Sequence, residues 1–343
     1  MYDVIVVGGG PIGCFTAKKI AREGFKVVVI EEDPSIGKPV RCTGLVSWRL
    51  KELVPDLPED VILNVVNRAR FYPSDLELKS DKPVFVIDRA KLDVELSKGA
   101  MEAGADVRTL TKFEGYERDG FLKVKTNREE LQAKILVGAD GSTSQVAKSA
   151  NLDQPDNLLI GMQATVKGEF EPDVVELWFN ASPDFFGWVV PLNEKWARIG
   201  LASKSKCKTY FERFLKERIG RVEKPDVYGT IRYGLMNDTV SDNLLLVGSA
   251  ACQVKPFSGG GIIYGLIGAT FASSACISAL EVEDFSSDFL RDNYDTRWKE
   301  RLGKPIKKGL RLRRALSLLG SSVSLKLASI FKSRISKWDV DLL

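Results

Sequence analysis

The first residues of this chain that suggest chemistry are three glycines, Gly8, Gly10 and Gly13, spaced as G-x-G-x-x-G. In such a turn the first glycine permits the tight bend, the second admits a pyrophosphate to the backbone, and the third permits close packing of helix on strand. Pro11 and Ile12 follow, where a helix would begin with its free N–H groups facing the phosphates. The spacing therefore predicts a phosphate-binding turn.

The elements around this turn favour a dinucleotide site over an ordinary glycine-rich turn. Apolar runs at 4–7 and 27–30 are typical of buried strands, with a predicted helix between them. Glu31 closes the second strand, at the position where an acid can accept both hydroxyls of an adenosine ribose. Strand, turn, helix, strand and acid together form a unit that binds a dinucleotide.

The absence of histidine from all 343 residues restricts the chemistry that the chain can perform. It removes Ser-His-Asp and Cys-His catalysis, the usual catalytic zinc sites and the facial iron triad, so we expect no metal centre. Proton transfer must come from Asp, Glu, Lys, Tyr, Cys or water. A bound organic cofactor is then the natural source of redox chemistry.

The cysteines predict a reducing compartment rather than a disulfide framework, because they are odd in number and widely spaced. They are Cys14, Cys42, Cys207, Cys252 and Cys276. The N-terminus enters a strand directly and carries Asp3, so we expect no signal peptide. These features predict a cytoplasmic location.

The apolar patterns predict an α/β fold in which an antiparallel sheet is inserted into a Rossmann-like domain. Continuous apolar strands at 134–137 and 244–247 are typical of a parallel sheet covered on both faces. Residues 64–87 and 157–235 alternate apolar and polar residues, which indicates antiparallel strands. The predicted units are a discontinuous dinucleotide domain at 1–156 and 236–285, an α+β substrate domain at 157–235, and C-terminal helices with a basic tail at 286–343.

Two further segments have clear local signals. Asp88 is a plausible N-cap for a helix that begins at Arg89. Residues 256–280 carry no charge and are long enough to cross a membrane. Glycines and serines interrupt this run, and Gly265 and Gly268 suit close helix packing, so we predict a buried helix beneath a cofactor.

Several motifs, in the same order along the chain, resemble the geranylgeranyl reductase family of flavoproteins. That family lies within the wider class of flavin enzymes shaped like para-hydroxybenzoate hydroxylase. The N-terminal glycine turn and its acid resemble the FAD-adenosine motif, and residues 41–44 resemble the loop that places a cysteine beside the isoalloxazine. Residues 138–142 resemble the shared D-G motif, and residues 247–262 resemble the second flavin motif. The resemblance covers most of the chain up to Trp298.

The resemblance implies FAD as the cofactor and assigns its contacts. The implied cofactor-binding residues are Gly8, Gly10, Ile12, Gly13, Glu31, Arg41, Cys42, Thr43, Arg89, Phe113, Asp140, Ser249, Gly260, Gly261 and Ile262. Arg89 would reach the FAD phosphates, and the backbone of Phe113 would lie near the adenine. Ser249 stands where the family usually has an aspartate that binds the ribityl chain, so a charge-assisted hydrogen bond is lost.

Residues 183–191, P-D-F-F-G-W-V-V-P, resemble the family signature P-x-x-Y-x-W-x-F-P. Phe186 replaces the tyrosine and Val190 the phenylalanine, which keeps an apolar wall but loses the phenol. The resemblance implies that Phe186, Trp188 and Pro191 bind the substrate.

The reaction implied by the resemblance is saturation of isoprenoid carbon–carbon double bonds by hydride from reduced flavin. An unactivated alkene accepts hydride poorly, so a proton must arrive early or at the same moment. Cys42 is the leading catalytic candidate; its alternative is a small turn residue without a proton role. Cys252 directly follows residues 247–251 of the second flavin motif and is a candidate to pair with Cys42 in a redox disulfide.

The basic character of the chain belongs to its tail. Residues 301–343 contain eleven Lys or Arg and two Asp, whereas the whole chain has a net charge of +4. Apolar residues from Leu312 to Ile330 are close to helical spacing, which suits peripheral contact with the inner membrane surface. The alternative is a terminal helix packed on the dinucleotide domain. No motif supports nucleic-acid binding.

These observations predict an FAD-dependent reductase of geranylgeranyl lipids or polyprenyl groups, with electrons from NAD(P)H or ferredoxin. The first alternative is an FAD-dependent NAD(P)H monooxygenase of the same fold, against which Cys42 and the 183–191 signature argue. A second alternative is a membrane-binding protein, with or without flavin, that has no turnover.

Overall fold

The computed structural model describes residues 1–74 and 76–319. The strands are β1 Tyr2–Val7, β2 Val27–Ile30, β3 Leu45–Ser47, β4 Ile62–Tyr72, β5 Leu76–Ile87, β6 Asp106–Arg108, β7 Phe113–Asp119, β8 Phe121–Thr126, β9 Glu130–Gly138, β10 Leu158–Lys167, β11 Val174–Trp178, β12 Gly187–Pro191, β13 Trp196–Ser203, β14 Val227–Arg232, β15 Val240–Ser241 and β16 Leu244–Leu246. The helices are α1 Pro11–Ala21, α2 Arg49–Leu53, α3 Arg89–Glu102, α4 Gln145–Ser149, α5 Cys207–Ile219, α6 Ile262–Val282, α7 Ser287–Leu290 and α8 Thr296–Leu319.

The first sheet is built around a parallel core with the order β16-β9-β1-β2-β6. The hairpin of β7 and β8 joins it at β9, and β15 pairs antiparallel with β16. Residues 4–7 and 27–30 are buried throughout, as a parallel sheet covered on both faces requires. The predicted α/β class is therefore confirmed.

Helices cover one face of this sheet, and the β7–β8 hairpin with α4 covers the other. Val4 and Val6 pack with buried residues of α1, α3 and α6. Ile5 and Val7 point the opposite way, into a cluster that includes Leu122 of β8. This alternation along β1 follows from the two-residue period of a strand. The carboxyl ends of β1 and β2, at Val7 and Ile30, border a cavity.

The uncharged run at 256–280 forms most of α6, the one helix among the described residues that is long and apolar enough to cross a membrane. Most of that stretch is buried within the protein, which confirms the prediction of a buried helix. A Cβ at Gly265 would lie 2.7 Å from Ile12, and one at Gly268 would lie 1.9 Å from the Gln253 side chain. Both glycines are therefore needed for close packing.

The second sheet has the order β14-β10-β13-β12-β11-β4-β5-β3. Its neighbours pair antiparallel except β11 and β4, which pair in parallel from Val174↔Arg68 to Trp178↔Tyr72. The sheet thus takes strands from residues 45–87 as well as from the predicted unit at 157–235, because this long-range pairing joins the two segments. The division into domains stays a prediction. Helix α5 covers the outer face, where Phe211 and Phe214 are buried.

The C-terminal helix α8 packs along the first half of its length as part of the main core. Trp298, Leu302 and Ile306 are completely buried there. Burial of an aliphatic side chain of this size stabilises a fold by about 1.5–3 kcal/mol. The packed-helix alternative therefore describes this part of the tail. Residues 320–330, which complete the predicted amphipathic stretch, lie outside the described residues.

Candidate functional site

A cavity of about 1090 Å³ lies between the carboxyl ends of the parallel strands and one face of the second sheet. Most predicted site residues line it, whereas Gly13 and Pro191 do not. The predicted residues in its wall are Gly8, Gly10, Ile12, Glu31, Arg41, Cys42, Thr43, Arg89, Phe113, Asp140, Phe186, Trp188, Ser249, Gly260, Gly261 and Ile262. One cavity thus joins the residues predicted for the cofactor and for the substrate.

The glycine turn between β1 and α1 has the geometry that each position requires. Gly8 has φ +108°, and a Cβ there would lie 2.5 Å from the Ala139 carbonyl oxygen. A Cβ at Gly13 would lie 2.0 Å from the Gly8 oxygen, so helix and turn touch. A Cβ at Gly10 would meet nothing within 4 Å, because this position opens into the cavity. The open backbone at the start of α1 fits a pyrophosphate.

The carboxylate of Glu31 is held at the end of β2 by two backbone amides. Its Oε2 accepts from the Gly9 N–H at 2.7 Å, and its Oε1 accepts from the Asp33 N–H at 2.9 Å. These bonds fix the carboxylate beside the glycine turn while it lines the cavity. The prediction that it binds a ribose fits this placement, since a carboxylate oxygen can accept more than one hydrogen bond.

Cys42 lies in a loop that the second sheet holds in place. The Nη1 of Arg198, on β13, donates to the carbonyl of Thr43 at 2.6 Å and to that of Ile87 at 3.0 Å. Burial lowers the pKa of Arg198. Its guanidinium nevertheless donates hydrogen bonds to the carbonyls of Thr43 and Ile87. The Gly44 N–H contacts the Cys42 Sγ at 3.4 Å. Arg198 is not among the predicted site residues, and no local motif marks it.

The five cysteines are free thiols, and Cys42 is the one that lines the cavity. Cys252 is fully buried in the core of the first sheet, so the suggested disulfide with Cys42 is not formed. Burial raises the pKa of Cys14, Cys252 and Cys276 to about 12. These three thiols stay protonated and inert at neutral pH.

Arg89, at the start of α3, makes a buried two-point ion pair with Asp93. Its Nη2 donates to Asp93 Oδ2 at 2.9 Å, and Nη1 bonds to Oδ1. Burial raises the pKa of Asp93 to about 6, against the opposing charge of Arg89. The Nε of Arg89 is buried without a partner among the described residues. An unsatisfied cationic donor in the cavity wall fits the predicted phosphate contact. Asp88 caps the helix as predicted, since its side chain accepts from the Lys91 N–H.

Asp140 lines the cavity, and its carboxylate also accepts hydrogen bonds from residues at the start of α4. Its carboxylate accepts from the Ser144 hydroxyl at 2.6 Å and from the N–H groups of Gln145 and Val146 at 2.7 and 3.1 Å. Burial raises its pKa, and these bonds oppose that rise. The carboxylate therefore stabilises a helix start, and its contact with FAD stays a prediction.

The second flavin motif forms a turn at the N-terminus of α6. Gly259 has φ +74°, and Gly261 precedes the helix without any side-chain cap. The free N–H groups of such a helix start suit a negatively charged or carbonyl-bearing edge of a ligand. Ser249 lines the cavity beside this turn. Two helix N-termini, those of α1 and α6, therefore border the same cavity.

Phe113 begins β7 and is buried, and it borders the cavity near the glycine turn and Glu31. Its backbone N–H and carbonyl lie at the strand end, where the predicted contact with an adenine would be made. This assignment also stays a prediction.

The opposite end of the cavity is lined by aromatic and aliphatic side chains, and Asn67, Arg68, Lys79 and Ser80 of β4 and β5 also border the cavity. The Phe186 ring stacks on Phe185 with centroids 4.2 Å apart, and it meets Phe257 at 6.2 Å. Strands β4 and β5 add further wall residues that the sequence did not assign to the site, namely Val66, Ala69, Phe71, Leu78 and Val84. Their alternating pattern marks strands, but it does not reveal which sheet they join. Pro191 ends β12 outside this wall, where its carbonyl accepts from the Asn64 side chain at 2.9 Å.

Arg313 of α8 connects two loops at this apolar end, one at Asp184 and one at Pro256. It donates to the carbonyl of Asp184 at 2.5 Å and to that of Pro256 at 3.2 Å. Its guanidinium lies over Tyr233 at 4.3 Å and over Phe185 at 4.9 Å. The C-terminal helix therefore joins the 183–191 signature to Pro256, which lies within the second flavin motif. Sequence reasoning missed this role, because only the fold brings these segments together.

Comparisons with known proteins agree with this geometry. The family model described as FAD binding domain matches residues 1–281. A digeranylgeranylglycerophospholipid reductase 2 from Methanothermobacter thermautotrophicus is 32% identical over 93% of this chain and 89% of the relative. A digeranylgeranylglycerophospholipid reductase from Thermoplasma acidophilum is 28% identical over 97% of this chain and 92% of the relative.

Solved structures show the same likeness. The crystal structure of a geranylgeranyl bacteriochlorophyll reductase-like protein from Thermoplasma acidophilum matches with a TM-score of 0.91 and 27% identity, over 99% of this chain and 94% of that one. A probable FAD-dependent monooxygenase from Pseudomonas aeruginosa matches with a TM-score of 0.73 and 17% identity, over 96% of this chain and 99% of that one. The second likeness is one of fold alone.

Proposed function

Because the chain belongs to the geranylgeranyl reductase family of FAD-binding flavoproteins, we propose that its substrate is a glycerophospholipid that carries geranylgeranyl chains. The protein is an FAD-dependent oxidoreductase that saturates isoprenoid carbon–carbon double bonds. This phospholipid class is the one that the two related reductases from Methanothermobacter thermautotrophicus and Thermoplasma acidophilum are named for. The apolar end of the cavity suits such a chain.

The observation that carries this proposal is the continuity of one cavity. Its backbone-rich end, with the glycine turn and Glu31, suits a dinucleotide, and its other end is lined by Phe186, Trp188 and aliphatic residues. Burial of apolar surface is favourable by about 25 cal/mol per Å². A long isoprenoid chain can therefore bind at that end with few polar contacts.

When bound, reduced FAD supplies the hydride for the double bond. Gly10 would leave room for the pyrophosphate, Glu31 would accept from the ribose, and the unpartnered Nε of Arg89 would donate to a phosphate. The free backbone N–H groups at the helix start after Gly261 would hold the flavin. The apolar wall excludes water from the double bond.

Cys42 donates the proton that completes the reduction. Hydride addition to one carbon of the double bond must be balanced by a proton on the other, and Cys42 Sγ–H is a half-buried acid in the cavity wall. The thiolate left behind is reprotonated from solvent. Arg198 supports this role, since it holds the adjacent carbonyl of Thr43 in place.

The test is anaerobic reduction of the substrate. The purified protein is reduced chemically, digeranylgeranyl phospholipid is added, and the lipid is analysed by mass spectrometry. A gain of two hydrogens for each saturated double bond is expected. Incorporation of oxygen when air and NADPH are supplied, without anaerobic saturation, would instead establish the monooxygenase alternative.

The electron donor is NAD(P)H or ferredoxin, and the protein acts in the cytoplasm at the inner membrane surface. The exposed face of α8 supports this membrane contact. Its exposed cations are Arg297, Arg301, Lys304, Lys307, Lys308, Arg311 and Arg314. Anionic lipid attracts such a face by about 1 kcal/mol for each cation near the surface.

A charge-neutralised variant of α8 tests the membrane contact. Lys304, Lys307 and Lys308 are changed to Gln, and sedimentation with phosphatidylserine vesicles is compared with that of a control variant, Lys208→Gln with Lys216→Gln on α5. Binding is expected to fall only in the α8 variant. Equal binding of both variants would remove α8 from the membrane contact.

The electron donor is tested separately, by comparing the rates at which NADPH and reduced ferredoxin reduce the bound FAD.

A further inference from the structure

Three residues of the second sheet occupy one row across adjacent strands. Gln163 of β10 lies opposite Gly200 of β13, and Gly200 lies opposite Trp188 of β12. Residues directly opposite each other in antiparallel strands share a face of the sheet, with side chains in reach of one another. Gln163 and Trp188 both line the cavity. The row therefore crosses the wall of the apolar end.

The middle residue of the row leaves the space that the indole occupies. A Cβ at Gly200 would lie 2.6 Å from two ring atoms of Trp188. Real Cβ contacts are not this short, so the indole lies directly on the backbone of β13. The backbone of Gly200 is also close to its other neighbour, since the same Cβ would lie 2.7 Å from the Met162 carbonyl oxygen. Any larger residue would lift the indole off the sheet.

The indole nitrogen is held by Gln163. The Nε1 of Trp188 donates to Gln163 Oε1 at 3.0 Å. Gln163 is only 2% exposed, so this bond is shielded from water. The indole nitrogen can only donate, which sets the amide with its oxygen toward Trp188. The main chain of Gln163 is held as well, because its carbonyl accepts from the Asp226 N–H at 3.0 Å.

We propose that Gln163 and Gly200 are positioning residues that hold Trp188 flat as a rigid wall of the isoprenoid chamber. Gly200 lets the indole lie directly on the backbone of β13. The hydrogen bond to Gln163 then holds the ring in one rotamer. A fixed wall sets how far an isoprenoid chain advances into the cavity, and thus which double bond lies beside the FAD site. The part that concerns the isoprenoid rests on the proposed function.

A double-mutant cycle with Gln163→Leu and Trp188→Phe tests the coupling. Gln163→Leu keeps the volume but removes the acceptor, and Thr165→Val, on the same strand and exposed, is the control. Gln163→Leu is expected to raise the KM for the geranylgeranyl lipid about two- to tenfold, the range for one lost hydrogen bond, with FAD content unchanged. It should also change the distribution of partly saturated products. In the Trp188→Phe background the same substitution is expected to have no further effect.

A second measurement does not depend on turnover. Fluorine NMR spectra of the 5-fluorotryptophan-labelled protein are recorded, and the Trp188 signal is assigned by its loss in Trp188→Phe. Gln163→Leu should shift or broaden that signal, and Thr165→Val should leave it unchanged. An unmoved signal, or independent effects of the two substitutions on KM, would overturn the inference. If the wild type shows no reductase activity, the proposed function fails while the NMR result still decides whether Gln163 holds Trp188.

Discussion

The two ends of the cavity are built in different ways. The dinucleotide end uses backbone, with an open Gly10, helix starts at α1 and α6, and amides that hold Glu31. The apolar end uses side chains from strands that lie far apart in sequence, such as Phe71 and Trp188. The first end therefore depends on local sequence spacing, and the second depends on the pairing of the whole second sheet.

The substitution Gly10→Val is expected to have the largest effect, because it should prevent FAD binding at the dinucleotide end while the fold stays intact. Gly10→Val should abolish retention of FAD, because a side chain there would project into the space that the pyrophosphate needs. The melting temperature of the apoprotein should stay close to that of wild-type apoprotein, since a Cβ at this position meets no neighbour. Absorbance of the purified protein measures the flavin content.

Gly13→Ala is the matched comparison for Gly10→Val. Its Cβ would collide with the Gly8 oxygen, so this variant should lose stability even without cofactor. Full flavin absorbance in Gly10→Val would refute the assigned pyrophosphate position.

The next largest effect is expected at Cys42, in the wall of the cavity. Cys42→Ala should retain FAD and lower the rate of alkene reduction by about a hundredfold, the low end of the range for loss of a positioned proton donor. Single-turnover kinetics with a chemically reduced enzyme isolates this step. Cys252→Ala is the control, because that thiol is buried outside the cavity wall. An unchanged rate in Cys42→Ala would leave Cys42 as a turn residue only.

A smaller effect is expected from Arg313, whose hydrogen bonds connect α8 to the apolar end of the cavity. Arg313→Ala removes hydrogen bonds to the carbonyls of Asp184 and Pro256, so it should lower the free energy of unfolding by about 1–3 kcal/mol. It should also raise the KM for lipid, since Phe185 loses the guanidinium above its ring. Urea unfolding and initial rates measure the two effects. The control is Lys216→Ala, at an exposed position on α5, and equal effects in both variants would argue against this role of Arg313.

The smallest effect is expected from the ionisation of Asp93, which should make the stability of the protein depend on pH. The folded-state pKa of Asp93 is raised to about 6 from an ordinary 3.8 by burial, so the folded protein binds this proton more tightly than the unfolded chain. The stability that Asp93 contributes is full below about pH 4 and is lost as the pH rises through about 6. Relative to Asp93→Asn, the wild type should therefore lose free energy of unfolding over that interval. A difference that does not vary with pH would contradict this assignment.

The two ends of the cavity also differ in how much of each could be predicted from the sequence. The glycine turn, Glu31, the Asp88 cap and the buried α6 follow from spacing and composition within short segments, and the structure places them as expected. Membership of β4 and β5 in the second sheet could not be predicted, because β4 pairs with a strand about a hundred residues away.

Individual side chains show the same limit. Asp140 fits a flavoprotein motif, yet its carboxylate is occupied by the start of α4. Arg198 and Arg313 carry no motif, since each acts on carbonyl groups that only the folded chain brings near. Residue types specify local hydrogen bonding well, whereas contacts between distant segments depend on the register of the sheets.

The most direct test of the account is an anaerobic single-turnover experiment on the full-length protein with bound FAD. The flavin is reduced chemically, geranylgeranyl phospholipid is added, and flavin absorbance is followed while the lipid is sampled. If both ends of the cavity serve one reaction, flavin should be reoxidised without oxygen, with one double bond saturated for each flavin. Flavin that stays reduced until air is admitted, with no saturated lipid, would contradict the account.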